Sequence, residues 1–570
     1  MLLVSRQRFA LCLATLFVIA LVLRVFAALD YGRDWDAPDS FTLINFDEGG
    51  SCRAALDGFD YTPFMGWQTV TLASLLGDAP APALRGDART AKTYCHSWAH
   101  LRVARLYSAV SGALTVVALA ALGLLLFPAQ PLVALGGAAL LALSGWHISE
   151  SMTGTVDAAS TFCITAFLMA AVCLKRCGVT PLRFALFGFL LVAAVWTKYW
   201  VFSFVALLAF LPRRFWEALI RGLTPARIAV LLLIYALLFG LVSNPALAAH
   251  WQLVLPLGFY VFVPWRRLSR VGFATALLMP WLAPLAMQSE LFVAYSSGGL
   301  TGRFGTDYGA IGWNKLARNL LNLPLVAMLG LGIPGFCLCL WGGWRLRRAD
   351  FLDSTWLPLL AVLAFALYMA FLAPVTYYRH YLPLLPVLCL LSAFGITQIR
   401  PGARQLVLSV ALVWQALLAW DLVGDYHHDP RRALPEWYAS HEPRRVLTTY
   451  YVNAPAQAGA RHRLLRPTSA QRMDAQLQWA DTVILSENWY DTAFANELNG
   501  PFAADTSRLI KTSVGAAEFY RTALADRHPY LRVIERLSPP RFMPEMNLHY
   551  ALYGSFTQFV GDIVILEPRG

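Results

Sequence analysis

The chain has 570 residues, of which 58% are hydrophobic and only 14% are charged, and its mean hydropathy is +0.52. An ordinary soluble domain carries about 25% charged residues, so a soluble globule of this size is excluded. The net charge of +12 does not indicate a nucleic-acid partner, because many of the basic residues lie between apolar runs rather than on one folded surface.

Apolar runs of roughly 16 to 24 residues recur from the N-terminus to about Trp420, and an α-helix of that length crosses a hydrocarbon layer of about 30 Å. The predicted spans are about 9–29, 104–127, 131–149, 157–174, 183–198, 199–212, 227–243, 250–264, 271–288, 320–341, 355–373, 381–398 and 404–421. The sequence therefore predicts a polytopic α-helical membrane protein with about 13 transmembrane helices.

Basic residues occupy alternate connections between these runs. They are Arg6, Arg8, Lys175, Arg176, Arg183, Arg213, Arg214, Arg221, Arg227, Arg266, Arg267, Arg270, Arg345, Arg347, Arg348, Arg400 and Arg404. Such connections face the cytoplasm, so an odd number of spans predicts an N-terminus inside and a C-terminal domain outside. The first span is too long for a signal-peptide core and is predicted to be an uncleaved anchor. The absence of Asn-x-Ser/Thr sequons favours a bacterial cytoplasmic membrane.

Three segments are predicted to lie outside the membrane and to be too long for plain connections. Residues 30–103 form the first extracytoplasmic loop, and 289–319 form a Gly-rich loop that is either a mobile lid or an irregular connection. The transmembrane domain occupies 1–421, and 422–570 form a soluble extracytoplasmic domain. Four β-like runs in that domain, RRVLTTYYV, ADTVILSE, YLRVIERL and DIVILEP, predict an α/β or α+β fold.

Two of the nine cysteines, Cys52 and Cys95, lie in the first extracytoplasmic loop, on the oxidising side of the membrane. A disulfide between them would brace the loop, and two free thiols are the alternative. The other seven fall in spans or cytoplasmic connections, where cysteine packs as a small apolar residue.

The first loop also carries two adjacent carboxylates, Asp47 and Glu48, in LINFDEGGSC. A carboxylate that is partly desolvated near the membrane can act as a general base toward an acceptor hydroxyl or amine, while its neighbour orients substrate. Most Asp-Glu pairs are solvated loop residues, so this interpretation depends on the surrounding charges.

Charged and polar groups recur near the predicted outer ends of the spans. They are Arg24, Arg102, Arg105, Glu150, Asp157, Lys198, His250, Tyr377, Tyr378, Arg379 and His380. Ionisable groups at membrane depth are costly and predict function, although snorkelling at the interface explains single cases. Arginine binds phosphate oxygens bidentately, so the cluster suits a substrate with a phosphate at the headgroup and a tail in lipid.

The order of the motifs resembles a known family. Asp-Glu after span one is followed by RLYSAVSGALTV, WHISESMTGTVDAASTF, WTKYW and YYRHYLPLLP. This order is similar to that of the GT-C glycosyltransferases of family 39, which comprise protein O-mannosyltransferases and bacterial aminoarabinose transferases that modify lipid A. The resemblance covers roughly residues 1–420.

The resemblance implies transfer of a sugar from a polyprenyl-phosphate donor to a lipid A, glycolipid, glycan or protein acceptor outside the membrane, by inverting single displacement. It implies that Asp47 is the catalytic base or positions the acceptor, with Glu48 beside it and Asp157 as a second acid. The residues expected to bind the donor phosphate are Arg24, Arg102, Arg105, Lys198 and Arg379. Those expected to bind substrate are Tyr377, Tyr378 and His250.

The sequence departs from the family at two places. It has YCHSWAH where relatives commonly have His-Pro-Pro, and Gly-Gly follows Asp-Glu where a larger residue is common. His96 and His100 have the i, i+4 spacing of metal ligands, but a pair without a third ligand more often indicates interfacial packing, so a divalent metal is possible but not favoured. No other cofactor is expected. The alternative function is a transporter or flippase for a polyprenyl-linked or anionic substrate, and a receptor or assembly scaffold is a third class.

Overall fold

A computed structural model describes twelve stretches of the chain and a few single positions. The described ranges are 6–30, 47–59, 61–77, 87–178, 180–198, 313–346, 378–452, 454–455, 459–465, 476–490, 516–553 and 560–569. Apart from single positions, the predicted spans 199–212, 227–243, 250–264, 271–288 and 355–373 lie outside the described residues. His250, Tyr377 and the Gly-rich loop up to residue 312 also lie outside them.

The described part of the N-terminal half is helical. Its helices are α1 (Arg6–Asp30), α2 (Gly50–Leu56), α3 (Phe64–Leu75), α4 (Ala88–Cys95), α5 (Trp98–Leu126), α6 (Pro131–Ala142), α7 (Gly145–Met152), α8 (Asp157–Cys177) and α9 (Pro181–Thr197). The later helices before the C-terminal region are α10 (Trp313–Arg345), the 3-10 segment Tyr378–Leu384, α11 (Leu385–Thr397) and α12 (Pro401–His427).

Six helices among the described residues are long and apolar enough to cross a membrane, and the bent pair α6 and α7 brings the number to seven. Each lies where the sequence predicts a span, so the chain is a multi-pass helical membrane protein. The predicted span 131–149 is broken, since α6 and α7 meet at an angle of 56°. Ser144 caps the second helix by accepting the His147 amide at 3.5 Å.

The membrane helices share one apolar core. Leu119, Leu141, Phe167, Leu329 and Leu385, from five different helices, are all completely buried in it. Helices α10 and α11 approach closely where Gly342 faces Leu391 and Gly395 faces Leu338. Glycine permits this approach, since a Cβ at either position would collide with a backbone carbonyl of the other helix.

The C-terminal region folds around a five-stranded sheet. Its elements are the 3-10 turn Pro430–Ala433, α13 (Leu434–His441), β1 (Arg445–Thr448), β2 (Arg461–Leu464), β3 (Thr482–Ser486), α14 (Glu487–Tyr490), α15 (Ala516–Leu524), β4 (Leu531–Leu537), α16 (Pro544–Tyr553) and β5 (Ile563–Pro568). The strand order is β2-β1-β3-β5-β4, with β1 parallel to β2 and β3, and β5 antiparallel to β3 and β4.

All four β-like runs of the sequence form strands, and β2 is a fifth strand that the sequence did not predict. Its residues RHRL are mostly exposed at the sheet edge, so they carry no apolar alternation. Both faces of the sheet are covered: Leu447 and Val564 are buried in one apolar cluster, and Val446 and Ile565 in another.

The C-terminal region is bonded to the membrane helices at several points. Helix α12 continues to His427, beyond the boundary predicted at residue 421, and two of its carboxylates bind the other region. Asp421 accepts the Met543 amide at 2.7 Å, and Asp425 pairs with Arg541 at 3.1 Å. Glu545 of α16 accepts both the Ile333 amide and the Trp414 indole N–H at 2.7 Å.

Candidate active site

The turn that carries Asp47 and Glu48 precedes α2. The Gly50 amide donates to the Asp47 carbonyl at 3.0 Å, and Gly49 has a φ of 82°. A Cβ at position 49 would also lie 2.7 Å from Cδ2 of His96, so glycine suits both the backbone and the space. The Asp47 side chain is 37% exposed and that of Glu48 is 0% exposed, so the two adjacent carboxylates have different surroundings.

Glu48 is held in a completely buried ion pair. Its two carboxylate oxygens accept Nε and Nη2 of Arg105 at 2.8 and 2.9 Å, and the Gly154 amide donates to Oε1 at 2.7 Å. These bonds join the first loop to α5 and to the turn before α8. Because the pair is completely buried, it holds the first loop against α5 and the turn before α8, and the roles in catalysis and phosphate binding expected of Glu48 and Arg105 stay predictions.

Asp47 belongs to a different group of charges. It accepts a bond from Nη2 of Arg379 at 2.5 Å, and Nε of Arg379 lies 3.8 Å from Asp157. Asp157 in turn pairs with Nζ of Lys198 at 2.7 Å. The Arg379 and Lys198 side chains are 15% and 19% exposed, so this four-residue charge cluster is reachable from outside the core.

Helix ends position the charge cluster. Asp157 is the first residue of α8, where the helix dipole favours a carboxylate, and Lys198 is the C-cap of α9, where it favours a cation. Arg379 lies in the 3-10 segment before α11. Its neighbour His380, when protonated, adds a further positive charge that acts on Asp157.

Tyr61 joins this cluster, although nothing in DGFDYTPF distinguishes it in the sequence. Its ring lies 3.4 Å from the position of a Cβ on Gly50, and its hydroxyl is buried without a hydrogen-bond partner among the described residues. Burial raises the pKa of Tyr61 well above its usual range, and the carboxylates of Asp47 and Asp157 raise it further. The phenol is therefore a neutral donor beside the charges.

Arg24 lies among other partners. Its guanidinium donates to the carbonyls of Leu141 and Ala142 at 3.1 Å and meets Nδ1 of His147 at 2.8 Å. At the break between α6 and α7 the Leu141 carbonyl also accepts the Ser144 amide at 3.3 Å, and Arg24 adds a side-chain donor to both carbonyls. Arg24 therefore stabilises the broken span, and its expected contact with a donor phosphate stays a prediction.

The remaining predicted residues are distributed around the cluster. Arg102 is partly buried on α5, one helical turn before Arg105. Tyr378 is 1% exposed and packs edge to face on His549 of α16, with ring centroids 4.6 Å apart. Tyr378 therefore packs within the core beside Arg379.

The two histidines of the first loop are used in packing. The ring nitrogens of His100 bond to Thr69 at 3.2 Å and to the Cys95 carbonyl at 3.1 Å, and His96 lies against Gly49. Among the residues that the structure describes, no group of three or more His, Cys, Asp or Glu side chains could hold a metal ion.

His96 makes the stability of the loop dependent on pH. Burial first, and then the charges of Lys92 and Arg53, lower the pKa of His96 to about 4. Between that pKa and the unfolded value of about 6.5, the unfolded chain binds a proton that the folded chain does not, so stability falls as the pH falls. Between pH 7 and 5, we expect the Tm to drop roughly 2 to 4 °C more in the wild type than in His96→Gln. Equal drops in melts of both proteins would contradict this.

Cys52 of α2 and Cys95 of α4 form a disulfide that closes a loop of sequence separation 43. Such a cross-link stabilises by roughly 3 to 4 kcal/mol, mainly by restricting the unfolded chain. We expect the double variant Cys52→Ser, Cys95→Ser to melt at a lower temperature, whereas Cys12→Ser, at an exposed free cysteine, should not. Alkylation of both loop cysteines in unfolded, unreduced wild-type protein would contradict the cross-link.

Comparison with known proteins gives structural relatives. No family model and no curated protein sequence matches the chain. The oligosaccharyltransferase of Archaeoglobus fulgidus is 12% identical with a TM-score of 0.45, over 100% of this chain and 89% of that one. ArnT from Cupriavidus metallidurans, bound to undecaprenyl phosphate, is 15% identical with a TM-score of 0.40, over 85% of this chain and 94% of that one. Both neighbours are glycosyltransferases of the GT-C type that the motifs resemble.

Proposed function

We propose that this chain is a membrane glycosyltransferase that moves a sugar from a polyprenyl-phosphate donor to an acceptor on the extracytoplasmic face. The observation that carries the proposal is the charge cluster, in which the accessible carboxylate of Asp47 lies beside two cations, Arg379 and Lys198. A base for the acceptor and cations for a phosphate leaving group are the two requirements of this transfer.

The basic residues at the helix ends support placing the charge cluster on the extracytoplasmic face. Asp157 begins α8, whose other end carries Lys175 and Arg176. Arg379 lies in the segment that leads through α11 to Arg400 and Arg404 at the start of α12. Since basic connections face the cytoplasm, the charge cluster lies at the outer surface, and about 13 spans would leave the C-terminal domain there too. A bacterial cytoplasmic membrane fits the lack of sequons.

The chemistry is a single displacement. Asp47 takes the proton of an acceptor hydroxyl or amine as the acceptor atom attacks the anomeric carbon. The bond from that carbon to the phosphate oxygen breaks, so the configuration inverts and polyprenyl phosphate leaves with the bonding electrons. Lys198 and Arg379 stabilise the charge that develops on the phosphate.

Charge balance links donor binding to the base. Asp47 and Asp157 are matched by Arg379 and Lys198, so the cluster is close to neutral before a substrate enters. A donor phosphate competes with Asp47 for Arg379, because guanidinium binds phosphate well. In this scheme the arriving phosphate releases Asp47, which then becomes available to the acceptor.

The test is reconstitution into vesicles with radiolabelled undecaprenyl-phosphate sugars and candidate lipid, glycan and protein acceptors. Labelled acceptor and released undecaprenyl phosphate are expected. Movement of the labelled lipid across the bilayer without transfer would support the alternative, a transporter or flippase. Mass spectrometry of glycolipids and envelope proteins from cells that lack the chain would identify the sugar and the acceptor.

A further inference from the structure

Three aromatic residues of the C-terminal domain meet beyond the carboxyl ends of two parallel strands of its sheet. Tyr450 and Tyr451 follow β1, and Trp489 follows the parallel strand β3. The Trp489 ring lies 4.5 Å from the ring of Tyr450 and 6.2 Å from that of Tyr451, centroid to centroid. Ligands of open α/β sheets bind beyond the carboxyl ends of parallel strands, and this is such an edge.

Tyr451 has an unusual backbone conformation. Its φ is 69°, and only Glu442 and Asp526 share a positive φ among the described residues other than glycine. A bulky aromatic residue in the left-handed region is costly and persists where the surrounding structure enforces it, often at a functional site. The Tyr450–Tyr451 turn is held at its base, because Thr449 accepts the Ser486 amide at 2.8 Å.

The turn lies within electrostatic range of the charge cluster. Burial raises the pKa of Tyr451 to about 12, and the Asp47 carboxylate raises it while the Arg379 charge lowers it, so both groups are within electrostatic range. The same domain also touches the segment that carries Arg379, through the edge-to-face contact of His549 with Tyr378. The C-terminal domain therefore contacts the segment that carries Arg379, and its Tyr451 lies within electrostatic range of Asp47.

We propose that Tyr451, supported by Tyr450 and Trp489, forms the outer wall of the active site and binds a sugar ring beside Asp47. A sugar ring has apolar C–H faces that pack on aromatic rings, and polar edges that the charge cluster can bind. The inference rests on the proposed function and adds a role for the C-terminal domain. The ring belongs either to the donor sugar or to a glycan acceptor.

The experiment compares ligands with and without a sugar. Binding of bare undecaprenyl phosphate and of a panel of undecaprenyl-phosphate sugars is measured for the reconstituted wild type and for Tyr451→Ala, Tyr451→Phe and Tyr451→Asn. Asparagine tolerates the left-handed backbone, so Tyr451→Asn removes the ring without adding strain. Tyr530→Ala is the control, since Tyr530 is 56% exposed elsewhere in the same domain.

If the wall binds the donor sugar, Tyr451→Ala and Tyr451→Asn should bind the sugar-bearing lipid roughly tenfold more weakly than the wild type does. Their affinity for bare undecaprenyl phosphate should be unchanged. If it binds the acceptor, the KM for the acceptor should rise by a similar factor while both lipids bind as in the wild type. Tyr451→Phe should retain most of the affinity. If the Kd of Tyr451→Ala for the sugar-bearing lipid and its KM for the acceptor both lie within twofold of those of Tyr530→Ala, the inference is wrong while the proposed function stands. A wild type that neither binds undecaprenyl phosphate nor transfers sugar would instead overturn the proposed function.

Discussion

Asp47→Asn is expected to lower kcat for sugar transfer about 10²- to 10⁴-fold, the contribution of a general base. The substituted amide cannot take the acceptor proton, while its size leaves the turn before α2 unchanged. Binding of undecaprenyl phosphate should be retained or strengthened, because the amide competes less well for Arg379. Single-turnover transfer and lipid binding, measured on the same preparation, give the two quantities.

Asp87→Asn is the matched control for this experiment. It is the same substitution in the same loop, at an exposed residue that caps α4 by accepting the Thr90 amide at 2.9 Å. Asparagine caps helices about as well as aspartate, so stability and transfer should both be retained. Full transfer by Asp47→Asn would remove Asp47 from the chemistry, and a parallel loss of lipid binding would indicate a binding role.

Glu48→Gln should have its main effect on stability. It leaves the Arg105 guanidinium, which is 0% exposed, without its carboxylate, and breaking a buried pair in this way costs about 3 to 5 kcal/mol. We expect a large drop in Tm in detergent and low recovery of folded protein. The double variant Glu48→Met, Arg105→Met removes both charges and should recover much of the lost stability.

The control for this prediction is Glu567→Gln. Glu567 pairs with Arg532 at the surface, where the two side chains are 31% and 62% exposed, so the expected loss is below about 1 kcal/mol. If Glu48→Gln has the same Tm as Glu567→Gln but transfers sugar slowly, Glu48 has a chemical role and the structural role is contradicted.

The sequence could predict where Asp47 and Glu48 lie, but not that the two carboxylates have different partners. The pattern LINFDEGGSC located both carboxylates near one membrane surface, but their roles depend on which arginine each one meets. Glu48 meets Arg105 of α5, which lies 57 residues away, and Asp47 meets Arg379, which lies 332 residues away. No local spacing encodes the second contact, so the division of roles required the fold.

Hydropathy predicted the six long apolar helices that the described residues contain, because the length and apolarity of a span are set by the bilayer. It did not reveal the break between α6 and α7, which Arg24 stabilises. The segment ALSGWH contains a capping serine that could have indicated the break. Tyr61 and Tyr451 were missed because aromatic residues in loops are common, and only burial and backbone conformation distinguish these two.

The separation of Asp47 from Arg379 has a consequence for biosynthesis. Long-range contacts form only after the intervening chain has been made and inserted, and these two groups are 332 residues apart. Under the proposed topology, a nascent chain that has exported its first loop therefore presents a carboxylate without its cationic partner. Catalytic competence would arise only when the later helices dock, so an unfinished chain would neither capture nor consume the donor lipid.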